Sequence, residues 1–161
     1  MPAHTLHIDF LRFRDRLQTS RRAGKAHLWD PIRQKHLVLQ PEELVRQLVL
    51  HYLIEERGYN RNRISIEKGL KVNDLQKRCD ILVYRPDLTP LLLVECKAPE
   101  VPLSQAAFEQ IARYNLPLRV DYLLVTNGIH SYCCAMNYAT ESYAFLDTIP
   151  HYPPTASEPK L

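Results

Sequence analysis

The run Leu91-Leu92-Leu93-Val94-Glu95-Cys96-Lys97 dictates much of what this chain can become. Four apolar residues lead straight into a carboxylate and an amine two positions apart. Side chains alternate faces along a strand, so Glu95 and Lys97 share one face and Val94 and Cys96 the other. An unbroken apolar run suits a central strand covered on both sides. Charges at the end of such a strand are costly unless they find partners. One partner is offered by Arg78-Cys79-Asp80-Ile81-Leu82-Val83-Tyr84, a second β-rich run that opens on charge. Asp80, Glu95 and Lys97 are therefore expected to converge on a metal-dependent site that cleaves phosphodiesters.

The length of 161 residues fits one domain with a real core. A net charge of +3 gives no strong global pull toward nucleic acid, so any such affinity must come from local clusters of Lys and Arg. No apolar run approaches the ~20 residues that span a bilayer. Met1-Pro2-Ala3-His4 leads into charged sequence without the apolar stretch of a signal peptide, so a cytoplasmic location without membrane contact is expected. The cysteines, Cys79, Cys96, Cys133 and Cys134, form no C-x-x-C pair, which argues against zinc and for reduced, buried thiols.

Pro41 to Arg57 is the clearest helix. Proline suits its first turn, Glu42 and Glu43 complement the helix dipole, and Gly58 is placed to end it. Leu44, Val45, Leu48, Val49, Tyr52 and Leu53 make one apolar stripe. Gln40 is a mediocre cap. Strands are expected at Ile64–Ile66, Gln76–Arg85, Leu91–Lys97, Tyr122–Thr126 and Ser131–Met136, with an edge strand at 142–146. Residues 69–74 read as a turn or a loosely paired region. Ser104 to Leu116 is a second helix with a good N-cap, and Asn127-Gly128 is a strong turn signal. The first 38 residues carry no clean period. His7 to Leu17 fits a strand and turn or a short helix, and Arg21-Arg22-Ala23-Gly24-Lys25 fits a solvated basic loop. Trp29-Asp30-Pro31 suggests another turn before a short strand from Lys35 to Leu39. The fold class is α/β, a mixed central sheet flanked by helices, in a single domain over 1–149. Residues 1–28 form an N-terminal extension, and the proline-rich 150–161 a disordered tail.

Phosphodiester hydrolysis needs an activated water, charge stabilisation at phosphorus and help for the leaving oxygen. Mg²⁺ suits this role and takes one or two carboxylates, completing its shell with water and phosphate; Mn²⁺ is a plausible substitute. Asp80 and Glu95 meet that need if their strands are neighbours. Lys97, roughly 7 Å along the strand from Glu95 on the same face, is placed to orient or deprotonate the attacking water. Glu43 can add a carboxylate from the first helix. Gln110 and Tyr114, on one flank of the second helix, can hold the water or a phosphate oxygen.

Asp80, fourteen residues, then Glu95-Cys96-Lys97 resembles the PD-(D/E)xK nuclease signature. Around it, Pro41-Glu42-Glu43-Leu44-Val45-Arg46-Gln47, Lys77-Arg78-Cys79-Asp80, Glu95-Cys96-Lys97-Ala98-Pro99 and Gln110-Ile111-Ala112-Arg113-Tyr114-Asn115 occur in order. This set is similar to the N-terminal nuclease domain of type I restriction enzyme R subunits, in particular to small stand-alone bacterial versions. The likeness covers roughly Trp29 to Tyr132. It implies a restriction-endonuclease-like fold and Mg²⁺-dependent DNA cleavage. Asp80 and Glu95 then become metal ligands with the Cys96 carbonyl as a third, Lys97 the catalytic amine, Glu43 the helix glutamate, and Gln110 with Tyr114 the Q-x-x-x-Y element. Cys79 stands where the signature has proline. No G-x-x-x-x-G-K-[ST] phosphate loop is present, so this chain has no motor of that type. DNA, restriction-modification partner subunits and a second copy of the chain are the partners to consider.

A lone E-x-K is often a structural pair, and Asp80 can equally salt-bridge Lys97. Glu43 has sufficient reason to exist in the helix dipole. The competing reading is a catalytically inactive nucleic-acid-binding or assembly module that keeps the nuclease fold.

Overall fold

The computed structural model describes residues 5–72 and 75–152. It opens on a 3-10 turn at Phe10–Arg16, followed by β1 (Thr19–Arg22), β2 (Lys25–Asp30) and β3 (Lys35–Val38), an antiparallel three-stranded sheet. α1 spans Pro41–Glu55. Next come β4 (Ile64–Val72), β5 (Leu75–Tyr84) and β6 (Pro90–Cys96), then α2 (Gln105–Asn115), β7 (Tyr122–Thr126), β8 (Ser131–Asn137) and β9 (Ser142–Phe145). β4 to β9 form one six-stranded sheet in sequence order, antiparallel except for the parallel β6–β7 pair. A parallel pair needs a crossover, and α2 supplies it.

The apolar run lies at the middle of this sheet, with Leu91 to Val94 fully buried. Alternation divides its side chains between two cores. Leu92, Val94 and Cys96 pack with Val45, Val49, Leu53 and Tyr52 of α1, whereas Leu93 packs with Phe108 and Ala112 of α2. The two helices thus cover opposite faces. Each large aliphatic side chain buried this way contributes about 1.5–3 kcal/mol. Phe10 and Phe13 meet Tyr52 edge-on, at 5.4 and 5.9 Å between ring centres, so the N-terminal segment is part of the α1-side core.

Both helix starts follow their cap chemistry. Ser104 Oγ accepts the Ala107 N–H at 3.1 Å, while Gln40 makes no side-chain cap bond. α1 ends at Glu55, two residues earlier than its pattern suggests, and Gly58 turns the chain with φ +70°. The strand ending on the carboxylate stops at Cys96, so Lys97 is one residue past it. Its N–H still donates to the Thr126 carbonyl at 2.8 Å.

Three expectations change. The basic cluster is not a loop: Arg21, Arg22 and Lys25 lie on paired strands, with the turn confined to Ala23-Gly24. β2 runs on through Trp29 and Asp30, and the turn follows from Pro31. The strand expected at Ile64–Ile66 continues to Val72, because β5 supplies backbone partners where the side chains give no alternation. Within the expected tail, Pro150 and Tyr152 are held. The Pro150 carbonyl accepts from Tyr59 Oη at 2.9 Å, and Tyr152 Oη donates to the Tyr84 carbonyl at 3.1 Å. Residues 153–161 of that tail, and Asn73-Asp74 of the expected turn, lie outside the described residues.

Candidate active site

The β5–β6 register pairs Ile81 with Val94, which sets Asp80 across from Glu95 at the end of the pair. Residues opposed in this way have Cβ atoms roughly 4.5–5.5 Å apart, which makes the two carboxyl groups neighbours. Asp80 is fixed from two further directions. Its Oδ2 accepts the Cys96 backbone N–H at 2.7 Å, and its Oδ1 accepts Arg46 Nη2 of α1 at 3.2 Å. Glu95 is pushed up to about 8, first by burial and then by the charge and hydrogen bond of Asp80, with Lys97 opposing.

Glu95 and Lys97 open into a cleft of about 340 Å³ that Gln110, Ile111, Tyr114 and Asn115 of α2 line. Gln110 is exposed and Tyr114 is 57% exposed, so both present polar atoms to whatever enters. Asn115 is buried and donates Nδ2 to the Ile111 carbonyl at 2.9 Å, which stiffens the end of that helix. The β7–β8 loop, just past the Thr126 carbonyl that accepts the Lys97 N–H, is itself well tied. There Asn127 Oδ1 accepts the Ile129 and His130 N–H groups at 2.9 and 2.7 Å, and Asn127 Nδ2 donates to the Val101 carbonyl at 2.8 Å.

Glu43 is near but engaged elsewhere. Its Oε1 accepts Arg33 Nη2 and Arg46 Nη1 at 3.0 and 2.9 Å, and its Oε2 accepts Gln47 Nε2 at 3.2 Å. Arg46 therefore bridges Glu43 to Asp80, and also reaches Glu67 at 3.3 Å and Glu42 at 3.7 Å. The Cys96 thiol faces the α1-side core, and burial raises its pKa well above the ordinary thiol range. The structure thus joins Glu95, Lys97, Gln110 and Tyr114 around one opening, sets Asp80 across from Glu95 on the next strand, and connects Glu43 to Asp80 through the Arg46 guanidinium.

Arg46, Gln47, Arg33 and Glu67 are the site's unanticipated members. Arg46 and Gln47 are 4% and 0% exposed on the apolar side of α1, which is unusual for such residues. Arg46 Nε and Gln47 Oε1 are buried without a hydrogen-bond partner. Arg33 ties Glu43 to Asp30 and Glu67, linking the three-stranded sheet to the site. Glu67 lies across from Asp80 on β4, between the pairs Ile66–Ile81 and Lys68–Cys79, with φ +51°. That left-handed backbone costs a non-glycine residue roughly 1–2 kcal/mol. A usable signal existed for Arg46: Glu42, Glu43, Arg46 and Gln47 stand at i, i+3 and i+4 spacing.

Among the described residues, no group of three or more His, Cys, Asp or Glu side chains is arranged to hold a metal ion. The site offers a pair of carboxylates opposed across adjoining strands instead. No described helix is long and apolar enough to cross a membrane.

No curated protein matches the chain. The structure is similar to a solved chain described as "The fragment structure of a putative HsdR subunit of a type I restriction enzyme from Vibrio vulnificus YJ016", with a TM-score of 0.50 and 22% sequence identity. The likeness covers 70% of this chain and 24% of that one, so the present chain spans about a quarter of that fragment's length. At this identity the match speaks to the fold, a mixed α/β sheet with helices. Residues 41–150, which include every residue of the cleft, match the family described as Type I restriction enzyme R protein N terminus. The chain belongs to that family of restriction-enzyme R-protein N termini.

Proposed function

We propose that this protein is a Mg²⁺-dependent DNA nuclease of the PD-(D/E)xK kind on a restriction-endonuclease-like fold. One observation carries the reading: the strand register sets Asp80 across from Glu95, and Glu95 lines one cleft with Lys97, Gln110 and Tyr114. Two neighbouring carboxyl groups in a half-buried setting repel once both ionise, and a divalent cation relieves that repulsion. A pair of carboxylates facing open space suits Mg²⁺ or Mn²⁺, which keep room for water and phosphate. Asp80 and Glu95 would hold the ion, with the Cys96 carbonyl as a third donor. When bound, the ion supplies charge stabilisation at the phosphoryl group.

The remaining steps belong to the chain. Arg46 fixes the Asp80 carboxylate, and Glu43 contributes by holding Arg46 rather than by direct approach. Lys97 orients the attacking water as an ammonium, or takes its proton when present as the neutral amine. Gln110 and Tyr114 position that water or a non-bridging phosphate oxygen. The family's namesake is a restriction enzyme's R protein, which supports DNA as the substrate and other restriction-modification subunits as partners. Cutting both strands calls for two such sites, hence a second copy.

The test is cleavage of supercoiled, linear and single-stranded DNA with Mg²⁺, comparing wild type with Lys97→Ala. Loss of a positioned acid-base group is expected to slow cleavage about 10²-fold or more. Equal nicking by the two proteins would remove Lys97 from the mechanism. Failure of the wild type on every DNA form would leave a nuclease fold retained for binding or assembly.

A further inference from the structure

The net charge of +3 leaves open how this chain would hold a polyanion, and the three-stranded sheet offers an answer. Its register pairs Arg22 with Lys25, Ser20 with His27, His27 with Val38 and Trp29 with His36. Paired residues share a face, so Arg22, Lys25, His27, Trp29, His36 and Val38 all point the same way. The contacts agree. The rings of Trp29 and His36 lie 4.9 Å apart, and the His36 pKa is lowered, first by desolvation and then by the neighbouring charges of Arg22 and His27. The opposite face carries Leu28, 1% exposed, and Asp30, 0% exposed, and packs inward.

The outward face is thus cationic and aromatic. Arg22 and Lys25 are exposed, Val38 is 42% exposed, and Trp29, His27 and His36 are half-buried. Asp30, the one acidic residue in the three strands, is turned away and already paired with Arg33. No carboxylate from these strands neutralises the face. Half-buried rings beside exposed cations suit a strand whose bases are free to stack and whose phosphates run alongside. A duplex hides its base faces and would use the cations alone.

We infer that the outer face of β1–β3 binds single-stranded DNA, with bases stacking at Trp29 and His36 and phosphates on Arg22 and Lys25. The inference extends the nuclease reading by assigning a second contact surface, tied to the cleft through Asp30, Arg33 and Glu43.

Trp29 is the chain's single tryptophan, so its fluorescence reports this face alone. The experiment titrates the full chain in EDTA, which stops cleavage, with a 20-mer single strand, the matching duplex and dextran sulfate. The single strand is expected to quench Trp29 and to bind at least fivefold tighter than the duplex. Arg22→Ala with Lys25→Ala should weaken binding about tenfold or more and flatten the dependence of log affinity on log salt by about 1.4, two phosphate contacts' worth. Both side chains are exposed, so the fold should survive, which circular dichroism verifies. Trp29→Phe should keep most of the affinity and Trp29→Ala should lose it, read by anisotropy of labelled DNA. Equal binding of duplex or dextran sulfate, or an unchanged affinity in the double variant, would overturn the inference. Because binding is read without metal, a wild type that fails to cleave sinks the nuclease reading and leaves this one standing. A wild type that cleaves but shows no quenching does the reverse.

Discussion

Glu95 sits half-buried against Asp80 with its pKa pushed up to about 8, where an ordinary glutamate lies near 4.5. The folded state therefore favours the protonated form more than the unfolded chain does. The stability tied to this proton is fully present below about pH 4.5 and is lost as the pH rises through 8. Its size is on the order of a few kcal/mol. In EDTA, the wild-type melting temperature should fall between pH 5 and 9 more steeply than that of Glu95→Gln, which has no proton to lose. Excess Mg²⁺ at pH 8 should restore much of the loss in the wild type alone. Superimposable melting curves for the two proteins across that range would refute the raised Glu95 pKa. That Asp80 and Glu95 lie on adjoining strands was legible beforehand, since they stand at the charged ends of two β-rich runs. What the sequence could not supply was the reach of Arg46 beyond its own helix. Its partners Glu67 and Asp80 lie 21 and 34 positions away, and only the packing of α1 on the sheet brings them together.

α1 is the element that connects everything at this end of the molecule. One side of it fills the core with Val45, Leu48, Val49 and Leu53, and its first two turns carry Glu43, Arg46 and Gln47 to the strand ends. Arg46 is 4% exposed and surrounded by carboxylates, so removing it strands buried negative charge. Arg46→Met should cost about 3–5 kcal/mol in urea unfolding. Adding Glu43→Gln to it should cost less than the sum of the two single changes, because the partners share one network. Additive losses would show that the bridge carries no energy. α1 and α2 were legible because caps, proline position and a 3.6-residue stripe all agree with their packing. β1, Thr-Ser-Arg-Arg, has no apolar alternation at all, and its strand character comes wholly from backbone pairing with β2. β4 beyond Ile66 was hidden for the same reason, since Lys68 and Gly69 look like a turn until β5 lies beside them.

At the scale of the whole molecule, the sheet separates two cores, and the covering helices are unequal. α1 spans 15 residues with eight buried, whereas α2 spans 11 with three buried. Local opening should follow that difference, with the α2 layer lifting at lower cost. The four thiols happen to be divided between the layers. Cys96 and Cys133 lie beneath α1, and Cys79 and Cys134 beneath α2, all at most 1% exposed. No disulfide joins them, and burial raises Cys134 to about 12 and Cys133 higher still. Such sulfurs are inert to alkylation until their cover moves. The adjacent residues Cys133 and Cys134 thus act as two clocks on one peptide, one for each side of the sheet. In dilute urea, mass-mapped alkylation should mark Cys134 and Cys79 before Cys133 and Cys96; simultaneous marking would mean that the chain opens only as a single unit.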